Sequence, residues 1–198
     1  SLIAGDYSLV LTNSEGCASD MANRTVTEPA PLAINSVAES HVTCNGGSDG
    51  YVEVEVSGGL SGTEYTLTYS GAASGVLGPQ TSGSFNVSGL VAGDYSFVLT
   101  NSEGCASDTV DRTITEPAAL SIDSAVVTNA DCNGGTGSVA VTVSGGVAGT
   151  EYTLTWSGAG TGSLGPQTSG SFAVPSLIAG VYCFVLANSG GCASAPVD

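Results

Sequence analysis

The chain has 198 residues, of which 18 are acidic and 2 basic, with no lysine, for a formal net charge of −16. Phosphate backbones and anionic lipid are bound through Lys and Arg, so this charge balance excludes nucleic acid as a partner. Hydrophobic residues make up 41% and charged ones only 10%, so the chain can bury a core and does not read as a solvated acidic tail. No apolar run approaches the roughly 18–20 residues of a membrane-spanning helix, and direct membrane insertion is not expected.

Repetition organises the sequence. The opening SLIAGDYSLVLTNSEGCASD returns as GLVAGDYSFVLTNSEGCASD, ending at Asp108, and as SLIAGVYCFVLANSGGCASA, ending at Ala195. The stretch CNGGSDGYVEVEVSGG from Cys44 returns as CNGGTGSVAVTVSGG from Cys132. Cys17 to Cys105 and Cys44 to Cys132 each span 88 residues, and Cys105 to Cys192 spans 87. A unit of that length suits a β-sandwich and is too long for the helical solenoid repeats. Three units are expected: the C-terminal part of a truncated one over 1–31, a complete one over 32–118, and a nearly complete one over 119–198. The chain opens in mid-pattern at Ser1-Leu2-Ile3, as a segment of a longer array would.

Within the complete unit, alternation predicts strand A over about Leu32–Thr43, turning at Cys44-Asn45-Gly46-Gly47. Strand B follows over Tyr51–Val56, with Val52, Val54 and Val56 inward and Glu53 and Glu55 outward. Strand C covers Glu64–Ser70, with Tyr65, Leu67 and Tyr69 on one face. The Gly/Ser-rich stretch Gly71–Gly83 holds at most a short edge strand at Val76-Leu77. Strand E spans Ser84–Val87, and strand F spans Tyr95–Thr100 with Tyr95, Phe97 and Leu99 inward. Strand G is expected from about Cys105 to Thr115. The pattern recurs in the third unit, where Trp156 takes the place of Tyr69. The fold class is all-β: tandem Ig-like or PKD-like sandwiches stacked as a rod.

The order and spacing of Cys-Asn-Gly-Gly before a strand, Gly-Gly after it, Ala-Gly-Asp-Tyr before strand F and Gly-Cys in the last hairpin resemble the SprB repeat family. These are Ig/PKD-like modules of gliding-motility and surface adhesins in Bacteroidetes. The resemblance implies an extracellular, cell-surface protein exported by type IX secretion. It implies adhesion, with a possible part in gliding, and neither catalytic residues nor a cofactor.

Six cysteines in a lysine-free chain point to an oxidising compartment and to disulfides, since no pair has the C-x-x-C spacing of a zinc or redox site. Pairing within units would join Cys44–Cys105 and Cys132–Cys192. Yet in a sandwich the A–B and F–G turns lie at opposite poles, roughly 20 Å apart, whereas a disulfide needs Cα atoms within about 7 Å. In a head-to-tail stack the A–B turn of one unit lies beside the F–G turn of the next. The favoured pairing is therefore Cys44–Cys192 across the seam, with Cys17 and Cys105 bonded to units upstream. Cys183 stands where the other units have Ser8 and Ser96, near the same pole as Cys132, which suggests Cys132–Cys183. The seams, Thr27-Glu28-Pro29 and Thr115-Glu116-Pro117, contain Pro and no Gly and should be stiff.

Other candidates carry less. His41 is the only histidine and aligns with Asn129, which does not suit a catalytic base. Calcium is disfavoured because Asp94, Glu103 and Asp108 become Val181, Gly190 and Ala195 in the third unit, and a Ca²⁺ site needs six to eight oxygens. Arg24 and Arg112 are expected to pair with neighbouring carboxylates. Thr109 and Ser124 lie in Asp-Thr/Ser-aliphatic triplets similar to O-glycosylation acceptors of Bacteroidetes.

The function expected is a structural stalk or filament segment, not an enzyme, with neighbouring repeats of the same chain as its partners. Two alternatives remain. In one, the stretches Gly71–Gly83 and Gly158–Gly170 bind surface glycans or a protein. In the other, copies of the chain assemble into a fibre.

Overall fold

The computed structural model describes every residue except Ser82 and Ser169, and all of its regular secondary structure is β. An antiparallel hairpin of β1 (Gly5–Leu9) and β2 (Ala22–Val26) comes first. Seven strands follow: β3 (Ala30–Ser40), β4 (Gly50–Gly59), β5 (Tyr65–Gly71), β6 (Gly75–Gln80), β7 (Ser84–Leu90), β8 (Gly93–Asn101) and β9 (Val110–Ile114). They form two sheets, ordered β3-β4-β7 and β6-β5-β8-β9. The next sandwich repeats this with β10 (Ala118–Thr128), β11 (Gly137–Gly146), β12 (Tyr152–Gly158), β13 (Gly162–Gln167), β14 (Ser171–Leu177) and β15 (Tyr182–Asn188). Its sheets are β10-β11-β14 and β13-β12-β15.

Alternation decides which side chains meet between the sheets, because successive residues of a strand face opposite ways. Val52, Val54 and Val56 of β4 are buried, as are Phe97 and Leu99 of β8, and they share one core with Leu67 and Phe85. The second core gathers Val139, Val141 and Val143 with Leu154, Phe172, Phe184 and Leu186. Full burial of an aliphatic or aromatic side chain of this size contributes about 1.5–3 kcal/mol, so a dozen such residues outweigh any surface contact. Tyr95 is also buried, and its hydroxyl donates to the Val91 carbonyl at 3.0 Å. Tyr182 donates to Ile178 at 3.1 Å and Tyr7 to Ile3 at 2.7 Å. This is the tyrosine corner of Ig-like sandwiches, and it accounts for the recurring Tyr four positions after Ile3, Val91 and Ile178.

Two stretches differ from expectation. The Gly-rich segment after β5 is a full six-residue strand, β6, and its counterpart β13 is equally long. The rings of Tyr69 and Trp156 lie over Gly75 and Gly162 across the strand pair, where a Cβ would collide with them. An aromatic ring thus covers the backbone that a glycine leaves bare. Strand G is shorter than expected and begins at Val110, not Cys105. Between the Thr100–Ala106 bridge and the Phe97–Val110 pair, one extra residue lies on the later strand. The Ser107 hydroxyl accepts the Leu99 amide at 3.1 Å and keeps that donor satisfied across the bulge.

The acids are used along edges and turns. Asp94 accepts from Thr113 and Asp111 from Ser96, each at 2.6 Å, and Asp6 accepts from Thr25 at 2.6 Å. Arg112 meets Glu39 at 3.4 Å. Arg24, expected to pair likewise, donates to the Asn23 carbonyl at 2.7 Å, the bond that Arg112 also makes to the Asp111 carbonyl.

Close approach of backbones fixes the identity of Gly145. It has a φ of 90°, and a Cβ there would overlap the Ala119 carbonyl oxygen. Gly145→Ala is expected to destabilise the later sandwich by roughly 2–4 kcal/mol. In thermal unfolding followed by NMR, signals of Trp156 should melt early while those of Phe85 hold.

Candidate functional site: a covalent junction between two sandwiches

Each F–G hairpin is shaped by one asparagine. The Asn188 side-chain oxygen accepts the amides of Gly190 (3.1 Å) and Cys192 (3.0 Å), and its backbone amide donates to the Cys192 carbonyl at 3.0 Å. Asn13 and Asn101 hold Cys17 and Cys105 in the same way, at 2.9 and 2.8 Å. Asn favours such local closure over continuing a ladder, so the recurring Asn-Ser-x-Gly-Cys places a cysteine at the hairpin tip. The Asn188 amide nitrogen is buried with no partner among the described residues.

The A–B turn that faces this tip is tied to its own sandwich. Gly47 donates to the Cys44 carbonyl at 2.9 Å, with Gly46 at a φ of 73°. The Asp49 carboxylate accepts the Thr43 amide at 3.0 Å. Val42 is buried and its amide donates to the Thr115 carbonyl at 3.0 Å, while Thr115 donates to His41 Nδ1 at 3.2 Å. His41 therefore fastens the end of strand G through its Nδ1.

Cys44 and Cys192 form a disulfide, with Cα atoms 5.5 Å apart. Cys192 is buried, and Cys44 packs against the core of the later sandwich although it belongs to the earlier one. Two hydrogen bonds flank the bond. The Gly46 amide donates to the Glu116 carboxylate at 2.6 Å, and the Asn45 side-chain amide donates to the Pro117 carbonyl at 3.1 Å. The turn thus grips both the linker into the later sandwich and that sandwich's far hairpin. A bond to a charged acceptor contributes about 1.5–3 kcal/mol where water is kept out and less where it is not. Glu116 was legible only as one letter of the recurring Thr-Glu-Pro, since its partner is a backbone amide 70 residues away in sequence.

With Cys44 and Cys192 joined, neither Cys44–Cys105 nor Cys132–Cys192 is formed. Cys132–Cys183 is not formed either, and both are free thiols. Cys183 lies between buried Tyr182 and Phe184 on β15, so its side chain points to the outer face of the sheet, toward Asp198. Cys132 sits in the turn at the end of the sandwich, and nearness to one pole does not turn the two side chains together. Burial, and then the Asp198 carboxylate, push the Cys183 thiol pKa up. Cys17, Cys105 and Cys132 are exposed free thiols.

The remaining candidates are dispersed. Thr109 and Ser124 are both exposed, and the Ser124 hydroxyl bonds to Thr142 Oγ1 at 2.6 Å. The stretches 71–83 and 158–170, expected to hold at most a short edge strand, contain the edge strands β6 and β13, with Ser82 and Ser169 outside the described residues. Among the described residues, no three of His, Cys, Asp and Glu are grouped to hold a metal ion.

Two predictions follow from this geometry. Under non-reducing conditions a Cys44–Cys192 peptide is expected. Iodoacetamide should label Cys17, Cys105 and Cys132 rapidly, Cys183 slowly, and the bonded pair not at all. Hydrogen bonds from the Thr43 side chain and backbone hold the Asp49 carboxyl below its ordinary 3.8. A lowered folded-state pKa gives stability that is present above the unfolded value and lost as pH falls through the folded one. Asp49→Asn should therefore flatten the loss of amide protection at Thr43 on acidification below pH 4, read by hydrogen exchange.

Residues 124–161, at the start of the later sandwich, match the family model described as the SprB repeat. No curated protein matches the chain. Similar solved structures include one on host cell surface retention of a 1.5-MDa bacterial ice-binding adhesin. It is 18% identical, with a TM-score of 0.46 over 96% of this chain and 70% of that one. Clostridium thermocellum CbhA fibronectin(III)-like modules are 12% identical, with a TM-score of 0.29 over 84% of this chain and 90% of that one. The family that the repeated motifs resemble is thus matched by its own model, and residues 124–161 carry the SprB repeat signature.

Proposed function

We propose that this chain is a spacer segment of a large secreted bacterial cell-surface adhesin, in which successive sandwiches are bolted end to end. The SprB repeat match supports the cell-surface adhesin setting, and gliding motility with type IX export is the finer reading that the family resemblance carries. An extracellular site also suits a disulfide, which persists in oxidising compartments.

The observation that carries the proposal is the Cys44–Cys192 bond. Its sequence separation is 148 residues, so it closes a loop containing β4 through β15. Tension along the backbone would enter through β3, cross from Cys44 to Cys192, and leave beyond the last hairpin. The strands between bear none of it while the bond lasts. A spacer that must hold its length under load gains from such a bypass. Binding and catalysis gain nothing from it.

Pulling the chain from its two ends in a single-molecule instrument tests this. In the oxidised protein, residues 45–191 should not extend. Addition of reductant should release about 500 Å of further contour length, at roughly 3.4 Å per residue. Equal extension with and without reductant would contradict the proposal.

A further inference from the structure

The sequence contains two Asn-Gly dipeptides, Asn45-Gly46 and Asn133-Gly134. Both lie in exposed turns closed by the same backbone bond, from Gly47 to the Cys44 carbonyl at 2.9 Å and from Gly135 to the Cys132 carbonyl at 3.0 Å. Gly46 and Gly134 have φ of 73° and 77°, which such a turn requires and glycine adopts without strain. The dipeptide is also chemically labile, because asparagine hydrolyses slowly and a following glycine puts no side chain in the way. Among the described residues nothing beyond the chain neighbours stands within 4 Å of where a Gly46 Cβ would lie.

Hydrolysis of this kind runs through the backbone. The Gly46 nitrogen gives its proton to solvent base and attacks Asn45 Cγ. An N–Cγ bond forms, the Cγ–Nδ2 bond breaks, and Nδ2 takes a proton from water and leaves as ammonia. Water then opens the cyclic imide at either carbonyl, giving aspartate or isoaspartate. Asparagine and water become an acid and ammonia, and nothing is oxidised or reduced.

At Asn45 both reacting groups are already engaged by the linker into the later sandwich. The Gly46 amide donates to the Glu116 carboxylate at 2.6 Å, so its proton is held, and the anion needed for attack would face a like charge. The leaving nitrogen, Asn45 Nδ2, donates to the Pro117 carbonyl at 3.1 Å. The preceding residue, Cys44, is tied to Cys192. For Cγ to reach the Gly46 nitrogen both hydrogen bonds have to break, and the disulfide opposes the displacement of the turn.

We propose that Asn45 is a deamidation site guarded by the closed junction, and that its conversion records junction opening. The product cannot restore the lost contacts. A carboxylate has no proton for the Pro117 carbonyl and adds negative charge beside Glu116, and isoaspartate also lengthens the turn's backbone by a methylene. A junction that has opened and aged therefore does not close in its original form. Reductant opens it as well as force does, so the proposal holds or fails independently of the spacer role.

Ageing the chain in mildly alkaline buffer is the test, with conversion of Asn45 and Asn133 read from one digest by mass spectrometry. Cys192→Ser removes the disulfide and leaves the residues around Asn45 unchanged. It should raise Asn45 conversion relative to Asn133 by roughly tenfold, the ratio that one hydrogen bond to a charged acceptor corresponds to. Reductant added to the parent chain should do the same. Glu116→Ala should also speed Asn45 with the disulfide intact, and Asn45→Asp should speed hydrogen exchange of the Gly46 amide while both cores keep their protection. A ratio unchanged by Cys192→Ser and by reductant, a Glu116→Ala chain that ages like the parent, or unaltered Gly46 exchange in Asn45→Asp would each overturn the proposal.

Discussion

The turn from Cys44 to Gly47 holds three partners at once: the Cys192 sulfur, the Glu116 carboxylate and the Pro117 carbonyl. The linker alone would leave a hinge at Pro117, and the hairpin contact alone would leave a pivot about one bond. Held together, they fix the later sandwich at two separated points against the earlier one. The turn can do this because its other side is anchored by Val42, His41 and Asp49 to the end of β9 and to the loop itself. A junction built this way depends on short polar contacts that each join a side chain to a backbone group, the Glu116 carboxylate to the Gly46 amide and the Asn45 amide to the Pro117 carbonyl.

Strand G serves both the core and the junction. Ile114 closes the core of its own sandwich, and three residues later the same strand supplies the linker that the turn grips. Folding of one unit and placement of the next are therefore coupled through a single strand. In repeat proteins stability is approximately a sum of unit terms and nearest-neighbour interface terms. Here the interface term includes a covalent bond, which acts mainly by restricting the unfolded chain and contributes about 2–5 kcal/mol.

Much of the fold is legible in the residues because it follows from alternation. Val52, Val54 and Val56 announce a strand with one buried face, and the structure buries all three. The parts that were not legible depend on contacts between distant positions. β6 reads as at most a short edge strand at Val76-Leu77 because its glycines have low strand propensity, and the ring of Tyr69 over Gly75 covers the backbone that extends it. Strand G begins late because the Ser107 hydroxyl stands in for a backbone carbonyl. At the junction, pole-to-pole reasoning brought Cys44 and Cys192 to the same place. The same reasoning misled for Cys183, since a pole locates a residue and the pleat decides where its side chain points.

The acidic surface has a structural share as well as a solvating one. Asp49, Asp94, Asp111 and Glu116 each accept a specific amide or hydroxyl, so the negative charge is distributed over turns and strand edges. In the later sandwich Val181 replaces Asp94, while Asp198 stands where Asp111 does and faces Cys183.

The central claim is that the junction makes two sandwiches move as one body, and residual dipolar couplings measure that directly. With the Cys44–Cys192 bond intact, amides of β4 and β8 and those of β11 and β15 should fit one common alignment tensor. Two tensors of different magnitude in the oxidised protein would contradict the account.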